Sequence, residues 1–296
     1  MTGIGRIALC HALMAFAFCG TAEAKTIVFI GNSFVFGARS AAHYYHADSV
    51  TDLNGPDAGG KTAGGVPAFF KAFTKEAGLD YTVSLETVGG KVMDYHFAEK
   101  RALLDKPWDA VVMIGYSTLD KDHPGSPALL VTSAKQMTDM FRAKNAKTEV
   151  WLDATWSRAD QTYPDGTPWH GKPIQQMGVD IAGAYALAAK TAKVTGVVPV
   201  GLAWNRAIDT GVAGDNPYAG IPAGKINLWS WDSYHASAYG YYLEALLVFA
   251  KVTGKDPLSL GDTETVADDM GFSKPQTHAL QQIAHDQLAA SNQLGQ

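Results

Sequence analysis

A hydroxyl, an imidazole and a carboxylate can together break an acyl bond, and this chain presents them in two short blocks far apart in sequence. The first is Gly31-Asn32-Ser33-Phe34, entered directly from the apolar run "TIVFI" at 26–30. The second is Asp232-Ser233-Tyr234-His235, within "WSWDSYHASAYG" and just ahead of a strongly apolar helical pattern. A serine at the carboxyl end of a buried strand can show its hydroxyl at the rim of a sheet. With Gly31 allowing a tight turn and Phe34 opening a helix, its own N–H can face a developing oxyanion. Taken alone, Ser33 or Asn32 reads first as a helix cap. In the second block, a polar turn can fold Asp232 onto one nitrogen of His235 and leave the other for a hydroxyl, as an activated nucleophile requires. Alone, that pair reads as a capping aspartate beside a structural histidine.

The elements that must position these blocks follow from the hydropathy pattern. Apolar runs at 26–30, 81–87, 110–115, 149–155 and 196–204 predict five strands buried on both faces. Helical periodicities near 66–78, 94–104, 126–143, 174–194 and 237–253 lie between or after them, with a last helix near 275–290. Strands alternating with helices predict a three-layer α/β/α sandwich around a five-stranded parallel sheet. Two long loops, 46–65 and 205–230, are expected near the carboxyl ends of the strands, where ligands gather in such folds.

Together the two blocks resemble the SGNH/GDSL hydrolase superfamily, which sets a G-D-S-type block after its first strand and a D-x-x-H block near the C-terminus. The resemblance spans residues 26–253 and implies a flavodoxin-like sheet, with Ser33 as nucleophile, His235 as general base and Asp232 as its orienting acid. "ETVGGKVMD" at 86–94 supplies glycines where the family places an oxyanion-hole amide, Gly89 being the first choice and Gly90 the alternative. The Ser33 N–H completes that hole. The third block departs from the pattern. Where the family has G-x-N-D, this chain reads Gly115-Tyr116-Ser117-Thr118, so Ser117 stands in for an asparagine donor whose loss typically costs about 2.7–4 kcal/mol of transition-state stabilisation. "GYSTL" also partly resembles the G-x-S-x-G elbow of α/β-hydrolases, which makes Ser117 a rival nucleophile.

Other features narrow the reading. Arg6, the apolar run "IALCHALMAFAFCG" and the small residues Ala22 and Ala24 form a signal-peptide pattern for residues 1–24, cleaved after Ala24. Export to the periplasm or the extracellular space is therefore expected, with a single domain over 25–296 and no lasting membrane insertion. Cleavage removes both cysteines, Cys10 and Cys19, and with them any thiol chemistry. A lipoprotein reading through Cys19 is poor, because bulky Phe18 precedes it. The net charge of −5 argues against a nucleic-acid partner. His43 and His46 lack a metalloprotease motif, and no glycine pattern for a nucleotide follows a strand, so no metal or cofactor is expected. Six of the seven tryptophans follow residue 150. Trp156, Trp204 and Trp231 are expected at the rim of the site, where they could stack on sugars, with Arg158, Asp160 and Asn205 nearby to bind hydroxyls. The expected activity is that of a secreted serine esterase, first a carbohydrate O-acetyl esterase acting on a glycan or small ester. The alternatives are a lipid or aryl esterase, an acyltransferase on the same triad, and a catalytically silent carbohydrate-binding protein.

Overall fold

Runs such as "TIVFI" have no polar face to give to water, so they are stable as strands only when covered on both sides. The computed structural model, which describes residues 24–293, covers them in this way. Apart from Ala24, the expected leader and both cysteines lie outside the described residues. Strands β1 (Lys25–Gly31), β2 (Thr51–Asp52), β3 (Tyr81–Thr87), β4 (Ala110–Ile114), β5 (Glu149–Asp153) and β6 (Gly196–Val198) form one sheet in the order β2-β3-β1-β4-β5-β6. Every pairing is parallel. In β1, Ile27 and Phe29 enter one buried cluster while Val28 and Ile30 enter the other.

The helices are α1 (Gly65–Glu76), α2 (Met93–Glu99), α3 (Arg101–Leu104), α4 (Ala128–Lys144), α5 (Ile174–Ala192), α6 (Val200–Asp209), α7 (Ala238–Thr253), α8 (Thr265–Asp269) and α9 (Lys274–Gln293). The clusters place α2, α4 and α5 on one face of the sheet and α1, α6, α7 and α9 on the other. The three-layer architecture is as expected, and the sheet has six strands instead of five. The additional strand, β2, is a polar Thr51-Asp52 pair that joins the edge through its backbone beside Ser84 and Leu85. No apolar run marks it.

The strand expected over 196–204 stops at Val198. Pro199 has no N–H to give a ladder, and the chain winds directly into α6. Val200, Ala203, Trp204 and Ala207 are all buried, at the spacing of one helical face. An amphipathic helix placed straight after a short strand had the look of one continuous apolar run. The helix expected over 94–104 is likewise divided at Lys100 into α2 and α3.

Two acids are sealed into this core. Asp153 ends β5, Glu244 lies within α7, and both are buried. Asp153 Oδ1 and both Glu244 carboxyl oxygens accept no hydrogen bond from an N–H or hydroxyl group among the described residues. Burial pushes both carboxyls up, Asp153 to about 7 and Glu244 well above the carboxylate range. The hydrogen bond to Glu244 holds Asp153 the lower of the two, so Glu244 keeps the proton and donates it to Asp153. The folded chain therefore binds more protons than the unfolded chain from about pH 4 upward through the neutral range, and stability falls as pH rises through it. Glu244→Gln keeps a donor and removes a titration, so it should flatten the fall in Tm between about pH 5 and pH 8. An unchanged slope in thermal melts would refute this account.

Candidate active site

β1 delivers the chain to the carboxyl edge of the sheet at Gly31. Glycine is required there for space, which corrects the expectation of a turn conformation. A Cβ would lie 2.2 Å from Ile114 Cγ2 and 2.9 Å from Val35 Cγ2, and φ is not positive. The helix expected from Phe34 is also absent, and residues 33–39 form successive turns instead. The Val35 N–H donates to Asn32 O at 3.0 Å and the Ala38 N–H to Ser33 O at 3.0 Å. Asn32 directs this turn from beneath. Its Oδ1 accepts from the Phe34 N–H at 3.1 Å, and its Nδ2 donates to Lys91 O at 3.1 Å.

The second block is a tight turn that closes on itself. Trp229 and Ala236 bridge antiparallel, and the Ser230 N–H donates to His235 O at 2.7 Å. Ser233 takes a left-handed φ of 56°, a local strain of about 1 kcal/mol, and this reverses the chain between acid and imidazole. Asp232 Oδ1 accepts from the backbone N–H groups of Tyr234 at 3.1 Å and His235 at 2.9 Å. Its Oδ2 lies 2.6 Å from His235 Nδ1, and His235 Nε2 lies 3.0 Å from Ser33 Oγ. Burial pushes the Asp232 carboxyl up, but hydrogen bonds from the His235 ring and the two amides outweigh it and hold the group below its ordinary value. Asp232 is thus an acceptor in the neutral range, and Nδ1 carries the proton between them. That tautomer leaves Nε2 with a free lone pair facing the serine.

Aromatic rings join the two blocks. Phe34 stacks on Trp156 with centroids 4.1 Å apart, and Trp156 stacks on Trp204 at 4.8 Å. Trp204 meets Trp229 edge-on at 5.3 Å. Indole N–H groups fix the pile to the loops: Trp156 Nε1 donates to Tyr234 O, and Trp229 Nε1 to Ser157 O. In the first turn of α7, the Tyr241 hydroxyl donates to Ala38 O at 3.1 Å, behind the serine turn. Trp156 and Trp204 are therefore core residues, not rim platforms for sugar, because their rings are spent on joining the blocks. Trp231 is different: it is 77% exposed, beside Asp232, with the Arg39 guanidinium 5.4 Å from its ring centroid.

The loop after β3 lies alongside Ser33. Strand register sets Gly31 opposite Thr87, and the Val88 N–H donates to Gly31 O at 2.9 Å. Lys91 closes the turn with its N–H on Val88 O at 3.0 Å, and the Asn32 amide grips Lys91 O. The N–H groups of Ser33, Gly89 and Gly90 donate to no acceptor among the described residues. Ser117 is buried in the turn after β4, and its Oγ accepts from Arg158 Nη1 at 3.1 Å. Among the described residues it meets no imidazole, and the His235 ring faces Ser33 instead. Arg158 and Asn205, expected to face a sugar, are buried and bonded within the protein. His43 stacks between Phe36 and Tyr44. Among the described residues, no group of three or more metal-ligating side chains occurs. No helix there is long and apolar enough to cross a membrane.

No family model and no curated protein matches the sequence. Solved structures do. A DUF4886 family protein from Bacteroides uniformis superposes with a TM-score of 0.60 at 17% identity, covering 90% of this chain and 95% of that one. A protein described as a GDSL-like lipase, from Parabacteroides merdae, superposes with a TM-score of 0.52 at 15% identity, covering 78% and 96%. At these identities the likeness is one of fold: the chain has the α/β/α fold found in SGNH/GDSL hydrolases.

Asn32 stands where the resemblance expects aspartate, and the geometry explains the exchange. An aspartate carboxylate has no hydrogen for Lys91 O, so two acceptors would face each other. Asn32→Asp should lower stability by about 1–3 kcal/mol, the cost of a buried acceptor left unpaired. Urea melts of the two proteins measure this, and equal midpoints would show that the Asn32–Lys91 bond carries no weight.

Proposed function

We propose that the protein is a serine ester hydrolase in which Ser33 is the nucleophile, His235 the general base and Asp232 the carboxylate that orients it. One observation carries the proposal: Ser33 Oγ, His235 Nε2, His235 Nδ1 and Asp232 Oδ2 form an unbroken chain with links of 3.0 and 2.6 Å. As Oγ attacks the ester carbonyl carbon, its proton passes to Nε2 and the carbonyl π pair moves onto oxygen. The N–H groups of Ser33 and Gly89 receive that oxyanion, with Ser117 as a third donor. His235 then gives its proton to the departing alkoxide, leaving an acyl group on Ser33. Water attacks the acyl group with the same proton relay and releases the acid. Positioned acid–base catalysis of this kind contributes roughly 10²–10⁴-fold.

The reading extends to an exported carbohydrate O-acetyl esterase. Export rests on the leader pattern at 1–24. The carbohydrate class draws support from the surface beside the Val88–Lys91 turn. A groove of about 540 Å³ there is lined by Gly90, Lys91, Asp94, Tyr95, Tyr116 and His123 among others, a polar wall suited to a hydroxylated alcohol. Trp231 offers a flat ring beside Asp232 on which a sugar face can stack.

Ser33→Ala should cut turnover of an aryl acetate by at least about 10³-fold, and Asp232→Asn by about 10³–10⁴-fold, with unchanged circular dichroism. A fluorophosphonate should label Ser33 stoichiometrically, whereas a silent binding protein would not react. Near-wild-type turnover by Ser33→Ala would sink the assignment. For the substrate class, Trp231→Ala should raise KM for an acetylated oligosaccharide several-fold while leaving KM for the aryl acetate unchanged. Equal effects on both substrates, or none, would remove the sugar platform from the account.

A further inference from the structure

Arg158 has no place in the mechanism above, yet its surroundings are those of a group held for a purpose. It follows β5, its backbone N–H meets Met177 Sδ at 3.2 Å, and its carbonyl accepts from Gln161 and Thr162. The residue is only 8% exposed. A guanidinium so deeply buried requires a counter-charge and hydrogen-bond acceptors. Asp160 provides both, accepting from Nε at 3.0 Å and from Nη2 at 2.5 Å. One face of the guanidinium lies on the Tyr234 ring, 3.6 Å from its centroid, next door to His235. These contacts already satisfy the charge. Even so, the remaining nitrogen is aimed at a particular hydroxyl, with Nη1 donating to Ser117 Oγ at 3.1 Å.

We propose that Arg158 is a positioning residue for the oxyanion site: by donating from Nη1 to Ser117 Oγ, it holds the Ser117 hydroxyl hydrogen free for the developing oxyanion. This rests on the serine-hydrolase reading. A serine hydroxyl carries one hydrogen and two lone pairs, and by itself it rotates to whatever acceptor is nearest. The Arg158 bond occupies one lone pair, so the hydrogen points away from the guanidinium, where the Tyr234 hydroxyl is its other acceptor within the protein until an oxyanion forms. Because the bond is charge-assisted, it also polarises the O–H and makes it a stronger donor. Asp160 fixes the fork, and the 160 amide is itself tied to the catalytic turn through Ser233 O at 3.2 Å. The chain thereby meets two shortcomings of serine at a position where the resemblance expects asparagine: its freedom to rotate and its weaker donation.

The test is a double-mutant cycle on the full protein with an aryl acetate. Ser117→Ala should lower kcat by about 10²-fold with KM within about twofold, as expected for a donor used only in the transition state. Arg158→Met should lower kcat by a comparable factor with the same KM split. The double variant should lose no more than the larger single loss, because the arginine acts through the serine. Ser117→Asn placed in the Arg158→Met background should restore at least tenfold, since an amide carries its own directed hydrogens. If Arg158→Met fails to fold by circular dichroism, Arg158→Lys takes its place, pairing with Asp160 but lacking the fork that reaches Ser117. Unchanged kcat in the arginine variant, losses that multiply, or a change confined to KM would overturn the proposal. If Ser33→Ala is inactive while Arg158→Met keeps full kcat, this inference falls and the hydrolase reading stands. If turnover survives Ser33→Ala, both fall.

Discussion

The pile of rings from Phe34 through Trp156 and Trp204 to Trp229 is the interaction on which the rest of the site depends. Ser33 and His235 are joined by one hydrogen bond of 3.0 Å, across two turns from opposite ends of the chain. A single bond of that kind contributes about 1 kcal/mol net and cannot by itself set the position of two loops. The rings can. They bury a large apolar area, and each well-oriented pair adds about 0.5–1.5 kcal/mol beyond that area. Because Phe34 adjoins the serine and Trp229 opens the Asp232 turn, close packing of the pile sets the distance between hydroxyl and imidazole. The hydrogen bond reports that packing.

Around the pile, buried polar groups act as rigid struts at the carboxyl ends of the strands. Asn32 ties the serine turn to the turn at Val88–Lys91. Behind that turn, His96 on α2 meets Glu86 at the end of β3 at 2.5 Å, with both side chains fully buried. Asn54 donates to Glu86 at 3.1 Å and accepts from Lys100 at 2.8 Å, which fastens the β2 loop to the same point. Under β5 the Asp153–Glu244 pair joins the sheet to α7, the helix that follows the His235 turn. Buried polar contacts are costly unless they are paired, so each of these accepts few alternative arrangements. In this protein they lie close to the loops that must not move.

Legibility in the sequence followed how locally each feature is determined. The strands at β1, β3, β4 and β5 could be read because burial on both faces leaves a continuous apolar run. β2 could not be, because two polar residues become a strand only when an edge offers hydrogen bonds. β6 and α6 were merged, since Val197–Trp204 is apolar under either period and only Pro199 marked the break. Ser33, Asp232 and His235 were picked out from two short blocks whose residue types are demanding. The tryptophans are ambiguous in the sequence. Their positions after strands pointed to a rim, but a ring at a strand end can turn outward or inward, and Trp156 and Trp204 turn inward. The sequence suggests Arg158 only as a sugar contact, because its neighbours Ser117 and Tyr234 are distant in sequence.

By itself, then, the sequence determined the layered α/β scaffold and the identity of the groups that could react. Both are written in local patterns: a period of apolar residues, and a carboxylate three positions from an imidazole. Only the tertiary structure decided that the imidazole faces Ser33 and not Ser117, that Asn32 grips Lys91, and that an arginine stands behind Ser117. Each of those depends on an angle or a separation of a few tenths of an ångström between residues far apart in the chain. Such distances arise when the rings and buried acids pack against each other, and no stretch of sequence carries them alone.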